Sequence, residues 1–191
     1  MRRKEGKRRG PRKATARHLE KAALHYLRRF ATSSANLRRV LMGKVERSAR
    51  FHGTGREEGE RDVGALIARF EANGLLDDKR YAENLASSLH RRGASARAIS
   101  AKLAQKGVDG EIVQAALAAL AQEHPEPELA AAAALVRRRR LGPYREAGRR
   151  PQMRQKDLAA LARAGFAYGV ALRTIDAATP QDLEAEIEGG S

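Results

Sequence analysis

Three features of this sequence predict an all-α fold, an elongated, curved array of three tandem three-helix repeats. Ala and Leu dominate the apolar content and aromatics make up only 4% of the chain; such residues lose little freedom in a helix, whereas strands draw on β-branched and aromatic ones. Apolar positions recur three and four residues apart, the spacing that gives a helix one buried face. Residues 29–44 repeat on residues 91–106 at a constant offset of 62, pairing Arg29 with Arg91, Ser33 with Ser95, Leu37 with Ile99, Leu41 with Leu103 and Lys44 with Lys106. Stacked helical repeats carry internal similarity of this kind, and each repeat packs mainly on its neighbours.

The elements follow in order. Residues 1–17 hold nine Lys or Arg against Glu5 alone and almost no large apolar group, which is too little burial to offset the entropy of ordering, so a basic disordered arm is predicted. Repeat 1 spans residues 18–76. Its first helix sets Leu19, Ala22, Ala23, Tyr26, Leu27 and Phe30 on one face, and Ser33 N-caps the next. Residues 46–60 contain Gly53, Gly55 and Gly59 with little apolar content and read as a long surface loop. Repeat 2 spans residues 77–124. Asp77 or Asp78 caps a helix carrying Tyr81, Leu85 and Leu89, Ser95 caps the next, and Asp109 caps one carrying Ile112, Val113, Ala116, Leu117 and Leu120. His124, Pro125 and Pro127 then break the pattern. Repeat 3 spans residues 126–188, with Gly142 and Pro143 ending a helix, a basic loop over 144–151, and five acids without a base in the C-terminal tail from 176. One stop signal recurs: Phe70 to Gly74 and Leu75, Leu103 to Gly107 and Val108, Leu161 to Gly165 and Phe166. Each suits a helix closed by a left-handed Gly with an apolar contact after it.

These residues exclude several classes of function. With no Cys, the chain has no thiol nucleophile, thiolate metal site or disulfide framework. The five histidines, at 18, 25, 52, 90 and 124, form no metal-binding spacing with a carboxylate and read as surface or half-buried groups. Adjacent Asp77 and Asp78 are better explained as a cap and a first-turn charge than as an acid/base pair. No phosphate-cradling Gly-rich loop precedes a Lys and Ser or Thr, and no nucleophile, base and orienter set is evident. A non-enzyme without catalytic, cofactor-binding or metal residues is expected. No apolar run approaches a membrane span or a signal segment, so a cytoplasmic protein without membrane contact is expected.

The net charge of +15 is concentrated in two places. The arm carries +8, and residues 137–156 carry another +8, from Arg137, Arg138, Arg139, Arg140, Arg145, Arg149, Arg150, Arg154 and Lys156 against Glu146. A run of Arg at a helix C-terminus is favourable to the dipole and can simply solvate a face. The further cations downstream favour contact with a polyanion or an acidic protein surface. Because Tyr26, Phe30, Phe70, Tyr81 and Phe166 fall at predicted core positions, any nucleic-acid contact should be to phosphate, sequence-tolerant and salt-dependent.

The segment AALHYLRRFATSSANLRRVLMGKV (Ala22 to Val45) and above all FEANGLLDDKRYAENLASSLHRRGASARAISAKLAQKGVDGEIVQAAL (Phe70 to Leu117), with its Gly-Leu-x-Asp-Asp-x-Arg-Tyr-Ala and Leu-x-x-Lys-Gly-Val strings, resemble the RecX regulatory proteins. ALVRRRRLGPYR (Ala134 to Arg145) and LARAGFAYGVALRTI (Leu161 to Ile175) resemble the third repeat of that family. The resemblance runs from residue 18 to about 178 and departs at Gly43, Lys44 and Val45, where a Lys-Gly helix ending is usual. It implies a monomeric regulator that docks along the RecA filament on single-stranded DNA. There it would limit recombinase, ATPase and co-protease activities, in DNA repair and control of the SOS response. On that reading Arg137, Arg138, Arg139, Arg140, Arg149, Arg150, Arg154 and Lys156 form part of the contact, with Arg91 and Arg92 as further candidates. The rival reading is a helical protein that binds nucleic acid directly through its phosphates.

Overall fold

A computed structural model describes residues 10–189. Every regular element among them is helical, and the chain divides into two compact units, one ending at Asp78 and one beginning at Lys79.

The first unit is built on α1 (Ala16–Leu27), α2 (Ser34–His52) and α3 (Arg56–Ala72). Thr15 caps α1 by accepting from the His18 N–H, and Leu19 and Ala23 are fully buried beneath it. Ser33 caps α2 by accepting from the Asn36 N–H at 3.2 Å, while the next free N–H, on Ser34, donates to the Asp78 carboxylate at 2.7 Å. Asp78 therefore satisfies α2 as well as opening the helix that follows it. Asn36 is buried but satisfied, donating to Thr32 Oγ1 at 2.7 Å and to the Tyr26 hydroxyl at 3.2 Å. Leu37, Leu41, Val45, Val63, Leu66, Ile67 and Phe70 complete the core with Leu76.

Three sequence expectations fail in this unit. The loop over 46–60 is only 53–55: α2 runs on to His52, Gly53 closes it in the left-handed region (φ +67°), and α3 starts at Arg56. Gly59 is a packing residue, since a Cβ there would lie 2.5 Å from Val45 Cγ1, so α2 and α3 approach through its missing side chain. A buried Gly leaves no apolar signal to read. The arm over 1–17 is the second: residues 1–9 lie outside the described residues, but Gly10–Ala14 is seated on the end of α2. Ala14 N–H donates to Ser48 Oγ at 2.9 Å, His52 Nε2 donates to the Pro11 carbonyl, and Gly10 lies against the Phe51 ring. Phe30 also leaves the predicted core face. α1 has ended before it, and it stands 50% exposed beside Tyr26 with Arg29 over its ring.

The second unit carries α4 (Asp78–Arg91), α5 (Ala96–Gln105), α6 (Gly110–Glu123), α7 (Pro127–Arg139), α8 (Arg150–Arg163), α9 (Tyr168–Asp176) and α10 (Pro180–Glu188), with 3-10 turns at Gly142–Tyr144 and Ala147–Arg149. One apolar cluster gathers Ala82, Ala86, Ile99, Leu103, Val108, Val113, Ala116 and Leu120, and another centres on Leu129, Leu135, Val136, Leu158, Leu161, Phe166, Ile175 and Leu183. The first unit thus folds three helices round one apolar centre, and the second holds two centres, one among α4–α6 and one among α7–α10.

The internal repeat is visible as geometry. Ser95 caps α5 as Ser33 caps α2, accepting from Ala98 N–H at 3.2 Å, and Ile99 and Leu103 are fully buried like their counterparts Leu37 and Leu41. The Ala96 N–H goes to the Glu128 carboxylate at 2.7 Å, as that of Ser34 goes to Asp78. Gly74, Gly107 and Gly165 all have positive φ, and the N–H of the residue after each, on Leu75, Val108 and Phe166, returns to the carbonyls of Phe70, Leu103 and Leu161. After Gly74 the buried side chain is Leu76, while Leu75 is exposed. His90 is buried too, against the expectation for the histidines; its Nε2 lies 2.7 Å from the Pro127 carbonyl, and its ring stacks on His124. A carbonyl only accepts, so Nε2 carries the proton.

Candidate partner-binding surface

The apolar half of α7 sets the position of its basic end. Leu129, Ala131, Ala132, Leu135 and Val136 are buried, whereas Arg137, Arg138, Arg139 and Arg140 are exposed. The three helical arginines sit in the last turn, where positive charge offsets the unpaired carbonyls. Arg140 closes the helix itself in the left-handed region (φ 54°), a conformation that costs a non-Gly residue energy.

Gly93 brings a second basic segment to this end. Its φ is +81°, and a Cβ on it would lie 2.5 Å from the Leu135 backbone nitrogen, so only Gly lets the end of α4 come so close to α7. The Arg138 guanidinium then donates to the Arg92 carbonyl. Arg91 and Arg92, 46 residues away in sequence, thus share a surface with the 137–140 run. Both are exposed, and Arg91 donates to Ser87 Oγ at 2.6 Å.

The downstream loop is held by an ion pair that sequence reasoning missed. Arg145 makes a two-pronged contact with Asp157, Nε to Oδ2 at 2.7 Å and Nη2 to Oδ1 at 2.8 Å, and Gly142 N–H donates to the same carboxylate at 3.0 Å. The Asp157 side chain is 3% exposed. Burial opposes its charge, but the Arg145 fork and the Gly142 N–H prevail and hold its carboxyl below the ordinary value. Arg145 is therefore a structural cation. Beside it Arg140, Tyr144, Glu146 and Arg149 line a shallow pocket, and burial raises the Tyr144 hydroxyl, with Glu184 adding to the effect and Arg137 opposing it.

The remaining members of the band divide into anchored and open groups. Arg150 donates to the Ala178 carbonyl at 2.7 Å and to that of Ala177, and Arg154 grips Asp176 at 2.7 and 2.6 Å. Both tie α8 to the end of α9. Arg149 meets Glu146 only loosely, at 3.5 Å with both side chains 77% exposed. Arg137, Arg139, Arg140 and Lys156 have no side-chain ion pair or hydrogen bond among the described residues. The open surface is consequently Arg91, Arg92, Arg137, Arg139, Arg140 and Arg149, with Lys156 exposed on α8. Of the acids from 176 onward, Asp176 pairs with Arg154 and Glu186 with Arg173.

The described residues contain no group of three or more His, Asp or Glu able to hold a metal ion, and no helix long and apolar enough to cross a membrane. Residues 77–117 match the family profile described as RecX, second three-helix domain. Regulatory protein RecX of Myxococcus xanthus strain DK1622 is 47% identical over 167 residues, covering 87% of this chain and 88% of its own length. The chain belongs to the RecX family. Regulatory protein RecX of Agrobacterium fabrum strain C58 is 32% identical over 85% of this chain and 84% of its own length. That of Thermobifida fusca strain YX is 38% identical over 69% and 66%. No solved structure gives a significant match. RecX membership agrees with the three-helix organisation described above, and the relatives are named as regulatory proteins.

Proposed function

We propose that this RecX family member is a non-catalytic, monomeric, cytoplasmic regulator that binds the RecA filament on single-stranded DNA. It mainly inhibits the filament's recombinase, ATPase and co-protease activities, within DNA repair and SOS control. The modules are the repeats at 18–76, 77–124 and 126–188, and the contact is the open basic surface of the third with Arg91 and Arg92 of the second. The observation that carries the site assignment is that Arg137, Arg139 and Arg140 are exposed without an acidic partner, beside Arg91 and Arg92. Uncompensated cations on a folded surface attract an acidic protein face or phosphate, and contact with several subunits of a polymer raises avidity through effective concentration. The shared name of the relatives supports the choice of partner.

The test is ATP hydrolysis by the cognate RecA on single-stranded DNA, titrated with this protein at several salt concentrations. Inhibition is expected, and no change at any ratio overturns the function. The triple substitution Arg137→Glu, Arg139→Glu, Arg140→Glu should relieve inhibition while leaving the helical signal intact; unchanged inhibition by the folded variant overturns the site. Pull-downs at moderate salt, one offering RecA without DNA and one offering single-stranded DNA alone, separate the rival, because retention of DNA but not RecA favours a direct nucleic-acid binder.

A further inference from the structure

A second concentration of uncompensated charge lies in the first unit and includes none of the residues assigned above. Leu19 and Ala23 turn one face of α1 to the core, which leaves Arg17, His18 and Lys21, three and four residues apart, on the other side. The preceding segment does not wander from this face. Ala14 N–H on Ser48 Oγ, His52 on the Pro11 carbonyl and Gly10 on Phe51 pin it to α2, so that Arg12 stands with Thr15, Arg17, His18 and Lys21 around one concavity. Lys44, on α2, adds its charge to those acting on His18.

No acid lines this concavity. The neighbouring acids are committed elsewhere: Glu20 to Arg69, Glu46 to Arg50 and Glu60 to Arg38. None of Arg12, Arg17, Lys21 and Lys44 has an ion pair among the described residues. Burial holds the His18 imidazole below its ordinary pKa, and the charges of Lys44, Arg12 and Lys21 act in the same direction. Cations gathered without a counter-charge repel one another, and an arriving anion removes that cost. Past Pro11 an adjoining groove is lined by Arg47 and by the Arg50–Glu46 pair with Phe51, itself 62% exposed, so Arg47 adds one further open cation there. A track with cations at intervals suits a polymer of phosphates better than a single carboxylate.

We infer that the concavity of Arg12, Arg17, His18 and Lys21, with Lys44 beside it, is a binding site for the phosphodiester backbone of single-stranded nucleic acid, separate from the basic surface of the third repeat. This inference does not rest on RecA binding, and it is tested without RecA.

The experiment is an NMR titration of the histidine ring protons of the full chain with an eight-nucleotide oligothymidylate at low salt. Strand binding should raise the His18 pKa by about one unit, because an adjacent anion favours the charged imidazole. His90, whose Nε2 faces a carbonyl, should stay put. The double variant Arg12→Gln, Lys21→Gln, at two exposed positions, should lose the His18 response, and its salt slope should fall by about 1.4, roughly 0.7 for each lost phosphate contact on a single strand. The double variant Arg137→Gln, Arg139→Gln should keep the His18 response. Binding that leaves His18 unmoved, or an undiminished slope in the Arg12/Lys21 variant, overturns the site. An equal response to inorganic phosphate at the same phosphate concentration overturns the polymer assignment in favour of a free-anion site.

Discussion

Asp157 and Gly93 carry more of the third repeat than their types suggest. Nothing in the sequence singles out Asp157, and its partner Arg145 reads as one more member of a basic run. Only the turn at 142–144 brings the Gly142 N–H and the Arg145 fork to the same carboxylate. Asp157→Asn keeps the shape, removes the charge and leaves a partly buried Arg145 unpaired, so the urea midpoint should correspond to a loss of about 3 kcal/mol. The pH dependence has a definite sign. A carboxyl held below its ordinary value contributes stability above about pH 4, and that contribution disappears as pH falls through the lowered folded value. The wild type should therefore lose stability on acidification more steeply than the Asn variant, and parallel acid limbs would count against the clamp. Gly93→Ala should cost about 3 kcal/mol by the same measurement, because the new Cβ meets backbone that cannot rotate away and the positive φ adds strain. Its Gly was visible in the sequence, but its purpose was not, since Leu135 is 42 positions away.

Among the elements, the signals that proved legible are local. Ser33 and Ser95 cap the helices they precede, and Gly74, Gly107 and Gly165 stop theirs, because a cap or a left-handed stop involves residues within one turn. Ser95 goes further than a cap: its Oγ also donates to the Ala164 carbonyl at 2.8 Å and occupies the space that a side chain on Gly165 would need. Ser95→Ala should lower stability by about 1–2 kcal/mol, the loss of a cap and an inter-helix bond, read by thermal or urea unfolding. A cost confined to a few tenths would show that the tie to α8 contributes nothing. The crossing of α2 and α3 was illegible for the opposite reason. Two of the three glycines over 53–59 do mark the connection, but Gly59 replaces a side chain so that Val45 can approach, and composition does not distinguish the two uses. Phe30 shows the same limit from the other side: it fits the apolar stripe of α1, yet the helix ends at Leu27 and the ring falls outside.

Across the whole chain the +15 charge is an excess that internal pairing reduces unevenly. Arg145, Arg150, Arg154 and Arg173 are absorbed by carboxylates and helix-end carbonyls, whereas Arg137, Arg139 and Arg140 in the second unit and Arg12, Arg17, Lys21 and Lys44 in the first are not. Charge reversal should therefore act differently by position: at Arg137, Arg139 and Arg140 it should change partner binding and its salt dependence and lower the unfolding midpoint only slightly, through the helix-end charge, while at Arg145 it should lower the midpoint much more, a contrast that parallel denaturation and ATPase titrations would reveal. The sequence by itself determined the helical class, the repeat at an offset of 62 and the two basic regions, because periodicity, caps and charge counts depend on neighbours along the chain. It also placed the chain beside the RecX proteins. Tertiary structure alone decided which cations remain open, that Arg91 and Arg92 lie with the 137–140 run, and that Arg12 faces Lys21. Those facts depend on Gly93 admitting a close helix approach and on Ser48 and His52 holding the segment before α1, contacts between residues far apart in sequence that no local pattern encodes.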